Sequence, residues 1–145
     1  MSYQFPDQSA EGGGDDWDAN WLQISGDVVD GELAWHFEDP CLTTREAREL
    51  LGWLRRVAAG DLSTDDQTGD GRMWFTEPNV HFAVRDRDGD TATVVVSFAQ
   101  ESPPPGAADE MRYGDGHGIL LHLSALDIKR AADAWERELK PFPER

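Results

Sequence analysis

The sequence predicts an α+β fold, an antiparallel β-sheet of about six strands with two helices packed on it, in the order β-β-α-β-β-β-β-α. Three observations carry this expectation. Apolar residues alternate at period two in several short runs, and two longer segments repeat at helical spacing behind capping motifs. The strand-like runs are joined by turn residues, as in hairpins, and not by helical crossovers.

Residues 1–16 are rich in Gly, Ser and Asp and read as a disordered acidic tail, followed by a single domain over residues 17–145. Trp21 to Ser25 forms the first strand and Asp30-Gly31 the turn of a hairpin. In the next strand Leu33, Trp35 and Phe37 share one face and Ala34, His36 and Glu38 the other, and Asp39-Pro40 is expected to end it. Thr43-Thr44-Arg45-Glu46 is a capping box, so a helix starts there. Its apolar stripe is Ala47, Leu50, Leu51, Leu54, Val57 and Ala58, and Gly60 closes it. Asp61 to Gly71 is a polar, acidic, exposed loop.

Arg72 to Phe75 starts another strand, interrupted by Glu77-Pro78-Asn79, after which Val80, Phe82 and Val84 alternate with His81, Ala83 and Arg85. Asp86 to Asp90 is a hairpin tip leading to Thr91–Ala99, with Val94, Val96 and Phe98 on one face. Pro103, Pro104 and Pro105 break the pattern until Gly116. Ile119, Leu121 and Leu123 mark the last strand. Ser124-x-x-Asp127 caps a second helix with the stripe Ile128, Ala131, Ala132, Trp135 and Leu139. Trp35, Trp53, Trp74 and Trp135 fall on element faces and are expected in the core, with Trp53 at the margin of its stripe.

Charge is the outlier: 29 Asp and Glu stand against 13 Lys and Arg, a net of −16 over 145 residues. Setting aside the two helical segments, 43–59 and 124–140, leaves 5 basic and 23 acidic residues, so the acidity lies off the helices. Such a surface favours solubility and a basic partner, and disfavours nucleic acid, whose phosphates call for a Lys/Arg face. The apolar runs are strand-sized and predict no membrane span. The lone Cys41 and an opening segment with no basic or apolar leader pattern read as a cytoplasmic protein.

No motif points to catalysis. Asp86, Asp88 and Asp90 alternate like calcium ligands, but Gly89 and Ser97 stand where an EF-hand loop places other residues. His36, His81, His117 and His122 lack zinc spacing, and Gly12-Gly13-Gly14 lacks the lysine of a phosphate loop. No GxSxG elbow accompanies any Ser/His/Asp set. Neither a metal nor a cofactor is expected. An enzyme using His81, Glu77 and nearby acids is the least favoured class.

The chain resembles the WapI family of immunity proteins, small partners of contact-dependent polymorphic toxins. The resemblance runs from about Trp17 to Arg145 and is carried by Asn20-Trp21-Leu22, Trp35-x-Phe37-x-Asp39-Pro40-Cys41-Leu42, Glu46-Ala47-Arg48 and Trp53-Leu54-Arg55-x-Val57-Ala58-x-Gly60. Further on it is carried by Phe75-x-Glu77-Pro78-x-x-x-Phe82, Glu101-x-Pro103-Pro104, Ala131-Ala132-x-x-Trp135 and Pro141-Phe142-Pro143. It implies a non-catalytic protein that binds a toxin domain.

With the charge, this gives the expectation of an immunity-type inhibitor that neutralises a cognate toxin, a basic nuclease domain by preference, through an acidic surface. The residues expected at that interface are Asp61, Asp65, Asp66 and Asp70 after the first helix, and Asp27, Asp30 and Glu32 at the first hairpin turn. A monomer or weak homo-oligomer is expected. The alternative is an interaction or adaptor protein of the same fold with another protein partner.

Overall fold

The computed structural model describes residues 1–5, 17–62, 64 and 69–145. In chain order it forms β1 (Ser2–Tyr3), a 3-10 turn (Trp17–Asn20), β2 (Trp21–Asp30), β3 (Leu33–Thr43), α1 (Thr44–Ala59), β4 (Arg72–Met73) and β5 (Val80–Asp88). β6 (Thr91–Phe98), a one-turn helix α2 (Asp109–Arg112), β7 (His117–Ser124) and α3 (Ala125–Leu139) complete it. The α+β class and the order from β2 onward agree with the sequence, with α2 and β1 added. The strands do not form one sheet. They divide into a three-stranded sheet, β1-β2-β3, and a four-stranded sheet, β4-β5-β6-β7, every pair antiparallel.

The division has a physical cause. Trp35 on β3 lays its ring edge-on against Phe98 of β6 at 5.4 Å, and Phe37 meets the same ring at 5.7 Å. Side-chain packing of this kind places the hairpin over the larger sheet, where backbone pairing would instead need it alongside. Trp35 also donates its Nε1–H to the Ser102 carbonyl at 2.9 Å.

Three sequence expectations need correction. β3 does not stop at Asp39-Pro40: it continues to Thr43, because the register slips opposite Leu22 and Gln23 and absorbs Cys41 as an extra residue, a bulge that accommodates the missing proline N–H. Trp74 is not core. Its strand ends at Met73, and the indole is 52% exposed, stacked on His81 at 4.1 Å. Within the expected tail, Ser2 and Tyr3 pair with Gln23 and Leu22, so these two residues belong to the smaller sheet; residues 6–16 of that segment lie outside the described residues.

α1 starts where the capping box predicts. The Glu46 amide donates to Thr43 Oγ1 at 3.2 Å and the Thr43 amide to Glu46 Oε2 at 2.8 Å. The other carboxylate oxygen of Glu46 accepts from the Thr76 amide at 2.7 Å, tying the helix start to the segment before β5. Burial pushes the Glu46 pKa up, but the donors from Thr43 and Thr76 outweigh it and hold the carboxyl below its ordinary value. At the other end Gly60, with φ of 81°, and Asp61 donate to the carbonyls of Val57 and Arg56, a Schellman close that only a residue tolerant of the left-handed region fills cheaply. α3 repeats the cap with Ser124 and Asp127.

The two helices pack on each other through the Trp135 Nε1–H, which donates to the Ala47 carbonyl at 2.8 Å. One core joins all layers: Leu22 and Leu42 from the hairpin, Leu50 and Val57 from α1, Val84 and Val94 from the larger sheet, Ile128 from α3. Trp53 is buried within it, beside Phe82.

Candidate functional site

Of the acidic residues singled out by the sequence, the five that are described fall into two separate groups. Asp27, Asp30 and Glu32 gather at the β2–β3 hairpin tip, where Asp27 meets His36 Nδ1 at 2.9 Å and Asp30 meets His117 Nε2 at 2.8 Å. Asp61 follows the α1 close, and Asp70 reaches Arg56 of α1 at 3.7 Å. Asp65 and Asp66 lie outside the described residues. Asp70 stands two residues before β4, at one edge of the larger sheet, whereas Asp30 is bound to the first residue of β7, at the opposite edge. Three strand spacings, roughly 14 Å, separate those edges, so the groups are two patches and not one.

Two concavities accompany them. On the outward face of the larger sheet, adjoining hollows of about 260 and 480 Å³ share Arg85, Val95, Ser97 and Asp115. Trp74, His81 and Arg72 extend the first, and Leu120 the second. Thr64, Gly69 and Gly71 of the post-helix loop border the first as well. On the inward side an almost wholly apolar cleft of about 390 Å³ runs between the two sheets and α3, lined by Ile24, Val28, Phe37, Leu121, Leu123 and Trp135 among others.

The outward hollow brings together the residue types of a hydrolytic triad without the connections of one. His81 and Ser97 are cross-strand neighbours and Asp115 lines the same hollow. Yet His81 Nδ1 is buried with no hydrogen-bond partner among the described residues, so no carboxylate orients the ring. Burial also pulls the His81 pKa below its ordinary value; Asp115 raises it and Arg72 adds to the lowering. Glu77 acts elsewhere, as one of the carboxylates near Cys41. The Cys41 thiol itself is buried and pushed up to about 12, by burial first and Asp39 next. A stacked indole and imidazole beside apolar strand residues can bind; this arrangement supplies no activated nucleophile.

The other histidines have structural partners: His36 with Asp27, His117 with Asp30, and His122 with Thr93 Oγ1 at 3.0 Å. Among the described residues no three His, Cys, Asp or Glu side chains gather as metal ligands, and no helix is long and apolar enough to cross a membrane.

Sequence reasoning missed the surface of β7. It names Ile119, Leu121 and Leu123 only as the last strand; they share the face of Val94 and Val96, yet Leu121 is 38% exposed and its neighbour Leu120, on the outward face, 61%. Composition carried no such signal, since the buried β6 equally lacks Asp, Glu, Lys, Arg and Pro over eight residues; the exposure follows from the place of β7 at the edge of the sheet.

Several residues that carry the family resemblance have structural work. The Asn20 side chain donates to the Arg145 carbonyl at 3.0 Å and accepts the Arg145 amide at 2.9 Å, and Glu46 anchors α1 as described above. Trp35 and Trp135 each spend their N–H on a carbonyl of another element. No curated protein and no solved structure matches the chain at a significant level. The model of the Immunity protein WapI-like family matches residues 1–143, nearly the whole chain, and the protein belongs to that family.

Proposed function

We propose that this protein is an immunity-type inhibitor, acting in the cytoplasm, that neutralises a cognate toxin by direct binding through an acidic surface. A basic nuclease domain is the toxin class that the charge fits best. The observation that carries the reading, beside family membership, is the net charge of −16 with the acids lying off the helices. A nuclease that holds phosphate with Lys and Arg presents the field that such a surface attracts, at rates up to about 10⁸–10⁹ M⁻¹s⁻¹ in low salt. Occupying that field denies it to the nucleic acid.

The interface residues proposed are Asp27, Asp30 and Glu32 at the first hairpin and Asp61, Asp65, Asp66 and Asp70 in the segment that follows α1. Since Asp70 and Asp30 stand at opposite edges of the larger sheet, the two patches can be tested independently. Asp27→Lys/Glu32→Lys and Asp65→Lys/Asp66→Lys are each co-expressed with a toxin that the wild type is first shown to neutralise. Loss of protection by at least one pair, with an unshifted melting temperature, is the expected result. Full protection by both pairs sinks the acidic-surface reading.

A further inference from the structure

We propose that the free edge of β7 is the seat of the partner, which adds a β-strand to the four-stranded sheet there and sends alternate side chains into the apolar cleft. This rests on the immunity reading above and specifies how the toxin is held.

The first argument is backbone pairing. β7 pairs with β6 through all eight of its residues, and among the described residues no strand pairs with its other side. A strand edge with unpaired N–H and C=O groups is a template for another chain, and folded proteins usually blunt it with lysine, proline, a bulge or a cover. Among the described residues β7 has none of these beyond the contacts of Asp30 and Trp35 with His117 at its start. It carries no charged residue and no proline, and its register with β6 is continuous from Thr91–Ser124 to Phe98–His117. On the other side of the sheet β5 differs: it has a register shift at Arg85 and is partly covered by β4.

The second argument is the apolar surface on either side of that edge. Leu121 and Leu123 face the cleft of about 390 Å³, opposite Val28 and Trp135. Leu120 faces the outward hollow with Val95. A strand laid beside β7 places every second side chain on each side, so its inward residues fill the cleft and its outward ones cover Leu120. The distal half of β2, from Ile24 to Asp30, borders the same cleft and likewise lacks a second neighbour among the described residues.

Charge selects the occupant. Carboxylates stand at the His117 end of the edge: Asp30 is bound to His117, Asp27 and Glu32 share its hairpin, and Asp115 lies two residues before β7. A strand alternating apolar with Lys or Arg side chains satisfies both the cleft and this end. A second copy of the chain does not. Antiparallel pairing of two β7 strands brings together two molecules of net charge −16, which repel one another.

The test uses the full chain and, as probe, the purified product of a toxin gene found beside this one in the native genome. Amide hydrogen exchange is followed over residues 118–123 with and without it, and Kd is measured for the wild type, Leu120→Lys and Leu121→Lys. Expected are slowed exchange at alternate β7 amides in the complex and, for Leu121→Lys, binding weaker by about 30-fold or more. Should the lysine variants fold poorly, the wild-type exchange pattern still decides. If the wild type binds tightly while β7 exchange is unchanged and both variants bind like it, the edge is not the interface and the immunity reading stands. If the wild type does not bind the toxin at all, the immunity reading falls and takes this proposal with it. If β7 is protected in the absence of toxin and sedimentation shows a dimer that Leu121→Lys dissolves, the edge serves a second copy and the proposal is overturned.

Discussion

β6 and β7 are neighbours of equal length and similar apolar content, TATVVVSF and HGILLHLS, yet they live in different solvents. Val94 and Val95 of β6 are buried on opposite faces of the sheet, while Leu120 and Leu121 of β7 are 61% and 38% exposed. Position in the sheet makes the difference, since an inner strand is covered on both edges and an outer one on only one. Apolar composition therefore records two different demands: in β6 the cohesion of the fold, in β7 a surface held ready.

The largest effect that would break this contrast is a charge in each strand. Val94→Asp leaves an unpaired carboxylate among Val84, Leu42 and Ile128 and should cost more than about 4 kcal/mol, unfolding the chain in urea titrations. The same substitution at Leu120 should leave the midpoint nearly in place; comparable losses at both sites would mean that β7 is as structural as β6.

The two capping boxes repeat the contrast among carboxylates. Glu46 is buried and serves three amide and hydroxyl donors, whereas Asp127 makes the same cap in the open. Glu46→Ala strands the Thr43 and Thr76 amides and should cost about 2–3 kcal/mol. Asp127→Ala should lower the melting temperature by clearly less, and equal shifts would remove burial as the cause.

Acid should act through the same buried groups. The folded-state pKa of Glu46 is lowered, so its contribution is present above the ordinary value of 4.5 and is lost as pH falls through the folded one. His81 is lowered too, and the unfolded chain takes up its proton first, so its share begins to fall below the ordinary value of 6.5. A melting temperature that declines from about pH 6.5 downward is expected. His81→Phe should remove the upper part of that decline; parallel curves would exclude His81 as its source. Smallest of all, Leu120→Ala should change stability by no more than about 0.5 kcal/mol while weakening toxin binding, as calorimetry on the free protein and the complex would show.

What the sequence made legible was local. Thr43 and Glu46, three residues apart, dictate a helix start whatever the rest of the chain does, and the alternation of Trp35 with His36 sorts a strand into faces. Relations between distant segments were not legible. Nothing near Pro40 announces the bulge that carries β3 onward, because its cause is the register with Leu22 and Gln23 on another strand. The split into two sheets depends on Trp35 finding Phe98, and the exposure of Trp74 on the strand ending one residue earlier. For the candidate site, the acidic residues could be named in advance, but their separation into two patches and the openness of β7 follow from strand order.

Cys41 gives the molecule a clock. Its thiol pKa is pushed up to about 12 and the residue is 1% exposed, so at neutral pH it is held as the unreactive thiol and an alkylating reagent reaches it poorly. Labelling with iodoacetamide must therefore wait for the interior to open, so its rate counts openings molecule by molecule. Because the same residue forms the bulge of β3, that count reports on the hairpin that roofs the cleft.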